Sequence, residues 1–224
     1  MLIRYFIEFN AYALRVIRIG WGFLWNLPTL LRVPRPIVTV FGSASLSEDE
    51  HYIHQAYAFG RICAEHGISV ITGGGPGIML AANHGAASVE QEQGKKVTRS
   101  LGIGVRGIDE GFVYDIPSIR FRYLFMRKWY LTQFSSAIVV FPGGIGTFDE
   151  LFDVLNLRKH HMLPNFPIVL IGVEFWAPLL TWLKTHGVER GMIHAEVLRV
   201  FSVTDDVQEA FELVHACCQR APAD

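Results

Sequence analysis

From Pro36 onward the chain repeats one pattern: a short apolar run, a turn of small residues, then a longer helical stretch. Ile37–Phe41 reads as a strand, closed by the turn Gly42-Ser43-Ala44-Ser45. Ser47 to Glu50 has the form of a capping box and predicts a helix that runs to about His66, where Gly67 ends it. Residues 68–71 form the next strand, 72–77 a glycine-rich turn and 78–91 a helix. Residues 101–105 follow as a strand, 106–119 as a loop and 122–134 as a helix. The spacing then predicts strand 137–141, a second glycine-rich turn, helix 148–158, strand 166–172, helix 175–186, strand 197–201 and helix 204–218. Strands apolar on both faces and separated by helices require a mainly parallel sheet with right-handed crossovers. The expected fold is α/β: a doubly wound, Rossmann-like sheet with helices on both faces and an extra N-terminal helix. Residues 1–35 make a helical extension and 36–224 a single α/β domain.

Such sheets bind ligands beyond the carboxyl ends of their strands, so the turns after strands hold the chemistry. The first, Gly42-Ser43-Ala44-Ser45, lets a ligand approach backbone N–H groups. The second is Thr72-Gly73-Gly74-Gly75-Pro76-Gly77-Ile78-Met79, and the third runs from Pro142 through Gly143, Gly144, Ile145, Gly146 and Thr147 to Glu150. A glycine-rich turn feeding a helix offers unpaired N–H donors and the positive end of the helix dipole, which suits phosphate. The second turn lacks the Lys-Ser/Thr of a P-loop, and Ile78 breaks the dinucleotide pattern G-x-G-x-x-G. Two such turns in one domain point to an anion site rather than to tight turns alone.

Glu150 and Arg127 are the candidate chemical groups. Thr147-x-x-Glu150 is also a capping-box pattern, so helix capping is the plain structural reading of both residues. Arg127 and Lys128 sit in a mostly aromatic helix, where a buried guanidinium needs a partner, either Glu150 or a ligand phosphate. His51 and His54 lie at i,i+3 spacing and His160 and His161 are adjacent, but no acidic or Cys cluster completes a metal set, and no cofactor is implied. No G-x-S-x-G elbow occurs, which argues against a serine hydrolase.

With 20 basic and 21 acidic residues the chain lacks the positive field of a nucleic-acid binder. Cys63, Cys217 and Cys218 are too few for a disulfide framework and suit a reducing, cytoplasmic setting. The charge is unevenly divided. Residues 1–35 carry five arginines (Arg4, Arg15, Arg18, Arg32, Arg35) and one acid, Glu8, leaving 15 basic and 20 acidic residues in the remainder. Charges interrupt every candidate signal-peptide core, and the longest uncharged run, 19–31, is 13 residues, too short to span a bilayer. On a helix Arg4, Glu8, Arg15 and Arg18 form one stripe, and Phe9, Tyr12, Val16 and Ile17 lie within the wide apolar arc beside it. That width favours a helix docked on the domain or on a partner subunit over one lying in a membrane interface through 1–31.

Taken together, the turn Gly73-Gly74-Gly75-Pro76-Gly77-Ile78-Met79, the pair Arg127-Lys128 and the run Pro142-Gly143-Gly144-Ile145-Gly146-Thr147-Phe148-Asp149-Glu150 resemble the LOG ("lonely guy") family over residues 36–216. That family comprises cytokinin riboside 5′-monophosphate phosphoribohydrolases, long mislabelled lysine decarboxylases. The resemblance implies a nucleoside 5′-monophosphate substrate, AMP or an N6-modified AMP, cut to free base and ribose 5-phosphate. It implies that Gly143, Gly144, Gly146 and Thr147 hold the 5′-phosphate, that the turn of Gly74, Gly75 and Gly77 lies near the nucleotide, and that Arg127 and Glu150 are catalytic. Gly42, Ser43, Met79, Lys128 and Pro142 complete the expected binding set. Residues 106–113 depart from the common pattern and are expected to shape the base pocket. The family also implies a homodimer or higher homo-oligomer. The rival expectation is a non-catalytic phospho-ligand carrier like the molybdenum-cofactor carrier proteins, which share the fold.

Overall fold

A computed structural model of the chain describes residues 2–47, 50–107 and 116–219. Its strands are β1 (Ile37–Phe41), β2 (Ser69–Thr72), β3 (Ser100–Val105), β4 (Ser118–Phe121), β5 (Ala137–Val140), β6 (Ile168–Ile171) and β7 (Phe201–Thr204). They form one sheet in the order β4-β3-β2-β1-β5-β6-β7, and every neighbouring pair is parallel. The chain builds outward from β1 to β4, then returns to place β5 on the other side of β1. The strand order therefore reverses between β1 and β5, and that is where a doubly wound sheet opens a crevice.

Helices α1 (Leu2–Leu31), α4 (Leu124–Gln133), α5 (Ile145–Lys159) and α6 (Val173–Trp182) cover one face. Helices α2 (His51–Glu65), α3 (Ile78–Glu92) and α7 (Val207–Cys218) cover the other. Side-chain alternation along β1 shows why both faces need cover: Ile37 and Phe41 enter the first core with Tyr130, Leu151 and Trp176, whereas Val38 and Val40 enter the second with Phe59, Ala82 and Phe211. Trp176 is fully buried, and its indole N–H donates to the Ile171 carbonyl at 3.0 Å, which satisfies its one polar atom.

Four local expectations are corrected. The loop 106–119 runs into a strand, β4, which pairs with β3 alone at the sheet edge. Ser118, Ile119, Arg120 and Phe121 alternate half-buried and buried positions, as an edge strand does, and four residues give too short a period to stand out in sequence. Helix α2 begins at His51 with Glu50 as its N-cap and no side-chain cap, so Ser47 does not cap it. Helix α5 begins at Ile145 rather than 148, with Gly144 as N-cap and no side-chain cap; Thr147 and Glu150 are therefore inside the helix and the capping-box reading fails. Toward the C-terminus, residues 183–188 form a π-turn after α6, and 195–200 form a 3-10 turn before β7, which shifts the last strand to Phe201–Thr204.

The N-terminal helix docks only in part. Leu30 is buried, and Phe23 packs among Phe121, Phe125, Trp129 and Tyr130, with the Trp129 ring 5.3 Å away edge-on. Tyr130 donates its hydroxyl to the Phe23 carbonyl. Of residues 8–18, by contrast, all but Ala13 are exposed, so docking on the domain holds for the second half of the helix alone. No helix among the described residues is long and apolar enough to cross a membrane.

Candidate active site

The turns after β1, β2 and β5 meet at the switch point and enclose a cavity of about 500 Å³. Backbone hydrogen bonds fix them to one another. The Ser43 N–H donates to the Pro142 carbonyl and the Ile78 N–H to the Ser43 carbonyl, both at 3.0 Å, so the first turn is clamped between the other two. Gly77 makes this approach possible: it caps α3 with φ of 66°, and a Cβ there would strike the Ser43 carbonyl oxygen. Behind the second turn, Thr72 donates to Asn83, and Asn83 donates to Ser100 at 2.9 Å, a fully buried polar chain. Thr72 also accepts the Gly74 N–H at 3.0 Å, which pins the start of the glycine run.

The third turn leads straight into α5. Gly144, Ile145 and Gly146 are exposed at its N-terminus, where the Ile145 and Gly146 N–H groups have no acceptor within the helix, whereas the Thr147 N–H donates to the Gly144 carbonyl at 2.9 Å. Thr147 is buried one residue further on, and Glu150 lies at the inner wall with 5% of its side chain exposed.

Helix α4 brings in the cations. Arg127 reaches across the cavity to Gly73, so closely that a Cβ there would sit 2.5 Å from a guanidinium nitrogen. Its Nη2 lies 4.0 Å from the Glu150 carboxylate, too far for a hydrogen bond, and Arg127 Nε and Glu150 Oε2 are both buried without a hydrogen-bond partner among the described residues. Burial pushes the Glu150 carboxyl up to about 7; Arg127 and Lys128 pull it down, and Asp149 and Asp153 add to the rise. The next residue pair closes the neighbouring contact: Lys128 bonds Asp149 at 2.8 Å. Burial lowers the Lys128 pKa, but Asp149, Glu150 and Asp153 outweigh it and hold the ammonium above its ordinary value.

Of the expected set, Gly42, Ser43, Gly75, Met79, Arg127, Gly144, Gly146, Thr147 and Glu150 line this cavity. Gly74, Gly77, Pro142 and Gly143 do not; they shape the turns behind it. Lys128 is turned away to Asp149 and acts on the site only through its charge. Phe41, Ala44, Ser45, Gly73, Pro76 and Ile145 also line it and were not singled out, although all but Phe41 sit inside the quoted turns. Of the divergent segment 106–113, residues 108–113 lie outside the described residues.

The fold and site thus define a class: a doubly wound α/β protein whose switch-point crevice sets an exposed helix N-terminus beside the partly buried Arg127 and the buried Glu150. A family profile described as "Possible lysine decarboxylase" matches residues 79–214, and the chain belongs to that family, the one its motifs resemble. The chain is 26% identical over 181 residues to the cytokinin riboside 5′-monophosphate phosphoribohydrolase of Rhodococcoides fascians, covering 80% of this chain and 89% of that protein. It is 28% identical over 144 residues to the pyrimidine/purine nucleotide 5′-monophosphate nucleosidase of Escherichia coli K12, covering 61% of this chain but 31% of that protein. Among solved structures it shares its fold with the molybdenum cofactor binding protein of Rippkaea orientalis (TM-score 0.57, 20% identity, 81% of this chain and 96% of that one). The Moco carrier protein of Chlamydomonas reinhardtii is similar to it at TM-score 0.54 and 23% identity, over 84% and 99% of the two chains.

Proposed function

We propose that the chain hydrolyses the N-glycosidic bond of nucleoside 5′-monophosphates, AMP or N6-modified AMP, releasing free base and ribose 5-phosphate. The observation that carries this reading is Glu150: a buried carboxyl with an unpartnered oxygen, opposite Arg127, on the wall of a crevice whose mouth is a helix N-terminus. The names of the relatives in Rhodococcoides fascians and Escherichia coli support the same reaction class.

In this reading the 5′-phosphate binds the N–H groups of the first turn of α5, away from the reacting carbon, and its binding energy holds the ribose in place. Phe41, Met79 and Ile145 supply apolar contact for the base; Ile145, 85% exposed, is free to close on it. As the bond from C1′ to the base nitrogen breaks, its electron pair leaves with the base and the ribose becomes oxocarbenium-like. Glu150 stabilises that cation as a carboxylate and takes a proton from the water that adds to C1′; the departing base takes up a proton in turn. A pKa of about 7 lets one group hold both protonation states near neutrality. Arg127 positions the anionic groups of the ligand and keeps part of the Glu150 population ionised.

Lysine decarboxylation is poorly served by the same residues. Lys128, beside this site, has its ammonium stabilised by Asp149, whereas a Schiff-base lysine needs the opposite shift. Chromatography of free base after incubation with AMP, other nucleoside monophosphates and isopentenyladenosine monophosphate tests the proposal. Base release by the parent and its loss in Glu150→Gln support it. Retention of a phospho-ligand with no turnover of any substrate replaces it with a carrier.

A further inference from the structure

A second cleft, of about 330 Å³, opens where α1 passes the carboxyl ends of β3 and β4, and its volume lies in the range of small-molecule sites. It shares no lining residue with the candidate active site. The first turn of α4 separates the two: Met126 lines this cleft and Arg127 the other.

Separate elements bring arginines to it. The parallel register pairs Val105 with Phe121, and the Arg106 N–H donates to the Phe121 carbonyl at 2.8 Å, so Arg106 and Arg122 leave adjacent strands side by side. Arg18 joins them from α1, and Arg120 of β4 lines the same cleft. No acid among the described residues lines it, and no carboxylate among them pairs with Arg18, Arg106 or Arg122. Like charges gathered in one concavity repel, and a bound anion relieves that repulsion. The start of α4 adds to the positive field. Tyr123, another lining residue, is its N-cap, no side chain caps it, and the Leu124 and Phe125 N–H groups have no acceptor within the helix.

The α1 side of the cleft is aromatic. At about 100° per residue, Arg18, Trp21 and Trp25 fall within an arc of about 60°, so one helix face presents a cation and two indoles together. The indoles stack on each other with ring centres 5.8 Å apart, yet the two residues stay 63% and 70% exposed, which leaves outer ring faces open to a planar group. Cations for phosphate beside ring faces for a base are the two features by which proteins hold nucleotides without reading their sequence.

We infer that this cleft is a second ligand site, for a nucleotide with two or more linked phosphates. The phosphates lie against Arg18, Arg106 and Arg122, and the base stacks on Trp21 or Trp25. Charge sets the phosphate number: two linked phosphates carry about three negative charges near neutral pH, which these three guanidiniums balance. Arg18, Trp21 and Trp25 lie on α1, outside the stretch 79–214 matched by the family profile, so the site does not follow from the residues the family shares. Nor does it depend on the reaction proposed above.

Calorimetric titration of the full chain with ADP, inorganic pyrophosphate and adenosine tests this. ADP is expected to bind more tightly than either of the others, and less tightly as salt is added. Arg18→Ala/Arg122→Ala should weaken ADP binding about tenfold for each arginine removed. Trp21→Ala/Trp25→Ala should weaken it about 5- to 100-fold and leave pyrophosphate binding unchanged. All four changes fall on exposed side chains, and unchanged thermal melting of each variant confirms that it is folded. Arg127→Met, altered in the other cavity, should retain this binding. Failure of ADP to bind the parent overturns the inference. So does binding that survives Arg18→Ala/Arg122→Ala but is lost in Arg127→Met, which belongs to the candidate active site. Pyrophosphate binding as tight as that of ADP, with ADP indifferent to the tryptophan changes, overturns the nucleotide assignment and leaves a phosphate site.

Discussion

Replacing Glu150 by Gln should make the protein more stable, and by an amount that depends on pH. Burial raises the folded-state pKa from the ordinary 4.5 to about 7, despite the attraction of Arg127 and Lys128. Between those two values the folded chain binds the proton more tightly than the unfolded chain, so stability falls as pH rises through that window. At about 1.4 kcal/mol per pH unit, the full cost of ionising Glu150 in place is about 3 kcal/mol, absent below pH 4.5 and complete above about 7. Gln keeps the size and polarity of the side chain and does not titrate. Denaturant melts of parent and Glu150→Gln across this range should therefore diverge: a small, constant offset at low pH, and a gap wider by about 3 kcal/mol in favour of the variant at pH 8. In a chain of this length that gap is roughly 6–12 °C of melting temperature. Parallel curves would mean that Glu150 titrates as an ordinary carboxylate. A gap of opposite sign would mean that its attraction to Arg127 outweighs its burial, and either result removes the physical basis given to its role.

Base release should rise about tenfold per pH unit below about 7 and level off above it, because the carboxylate is the form that takes the proton from water; a flat profile assigns the proton to another group. Arg127→Met removes a charged partner of ligand and Glu150 together, and kcat/KM should fall about 10- to 100-fold, as expected for losing one charge-assisted contact; an unchanged value places Arg127 outside the reaction. Gly77→Ala puts a Cβ at a φ of 66° and against the Ser43 carbonyl, and should cost more than about 2 kcal/mol in denaturant melts; an unaffected variant shows that the first two turns are not clamped as described.

What the sequence made readable is what depends on local pattern. Five of the strands announced themselves as apolar runs, because a strand buried on both faces has nothing to alternate, whereas the run read as the last strand, 197–201, falls mostly on a 3-10 turn before the half-buried β7. β4 did not, since an edge position leaves Arg120 and Ser118 half-buried and breaks the run after two residues. The glycine turns were legible as the turns that meet at one crevice for the same local reason, yet their division of labour was not. Gly74, Gly77, Pro142 and Gly143 stand behind the cavity only because three turns from distant parts of the chain press on one another through Ser43. Glu150 illustrates the limit well. Thr147 and Glu150 carry a capping spacing, and only the start of α5 at Ile145 shows that neither caps it and that the carboxyl faces inward with an empty hydrogen-bond position. For α1 the wide apolar arc implied docking, but the structure docks only the second half of the helix, through Phe23 and Leu30, and leaves Phe9, Tyr12, Val16 and Ile17 exposed; how far the helix outruns the sheet is a tertiary fact that periodicity does not contain.

The most direct test of the central claim is product analysis after incubation with AMP in ¹⁸O-labelled water, run for the parent, Glu150→Gln and Arg127→Met. The account predicts free adenine and ribose 5-phosphate carrying the label on the sugar, with both variants strongly impaired though folded. Adenosine with labelled inorganic phosphate would show cleavage at the phosphate ester instead. That outcome, or undiminished adenine release from Glu150→Gln, would contradict the assignment of this crevice as an N-glycosidase site.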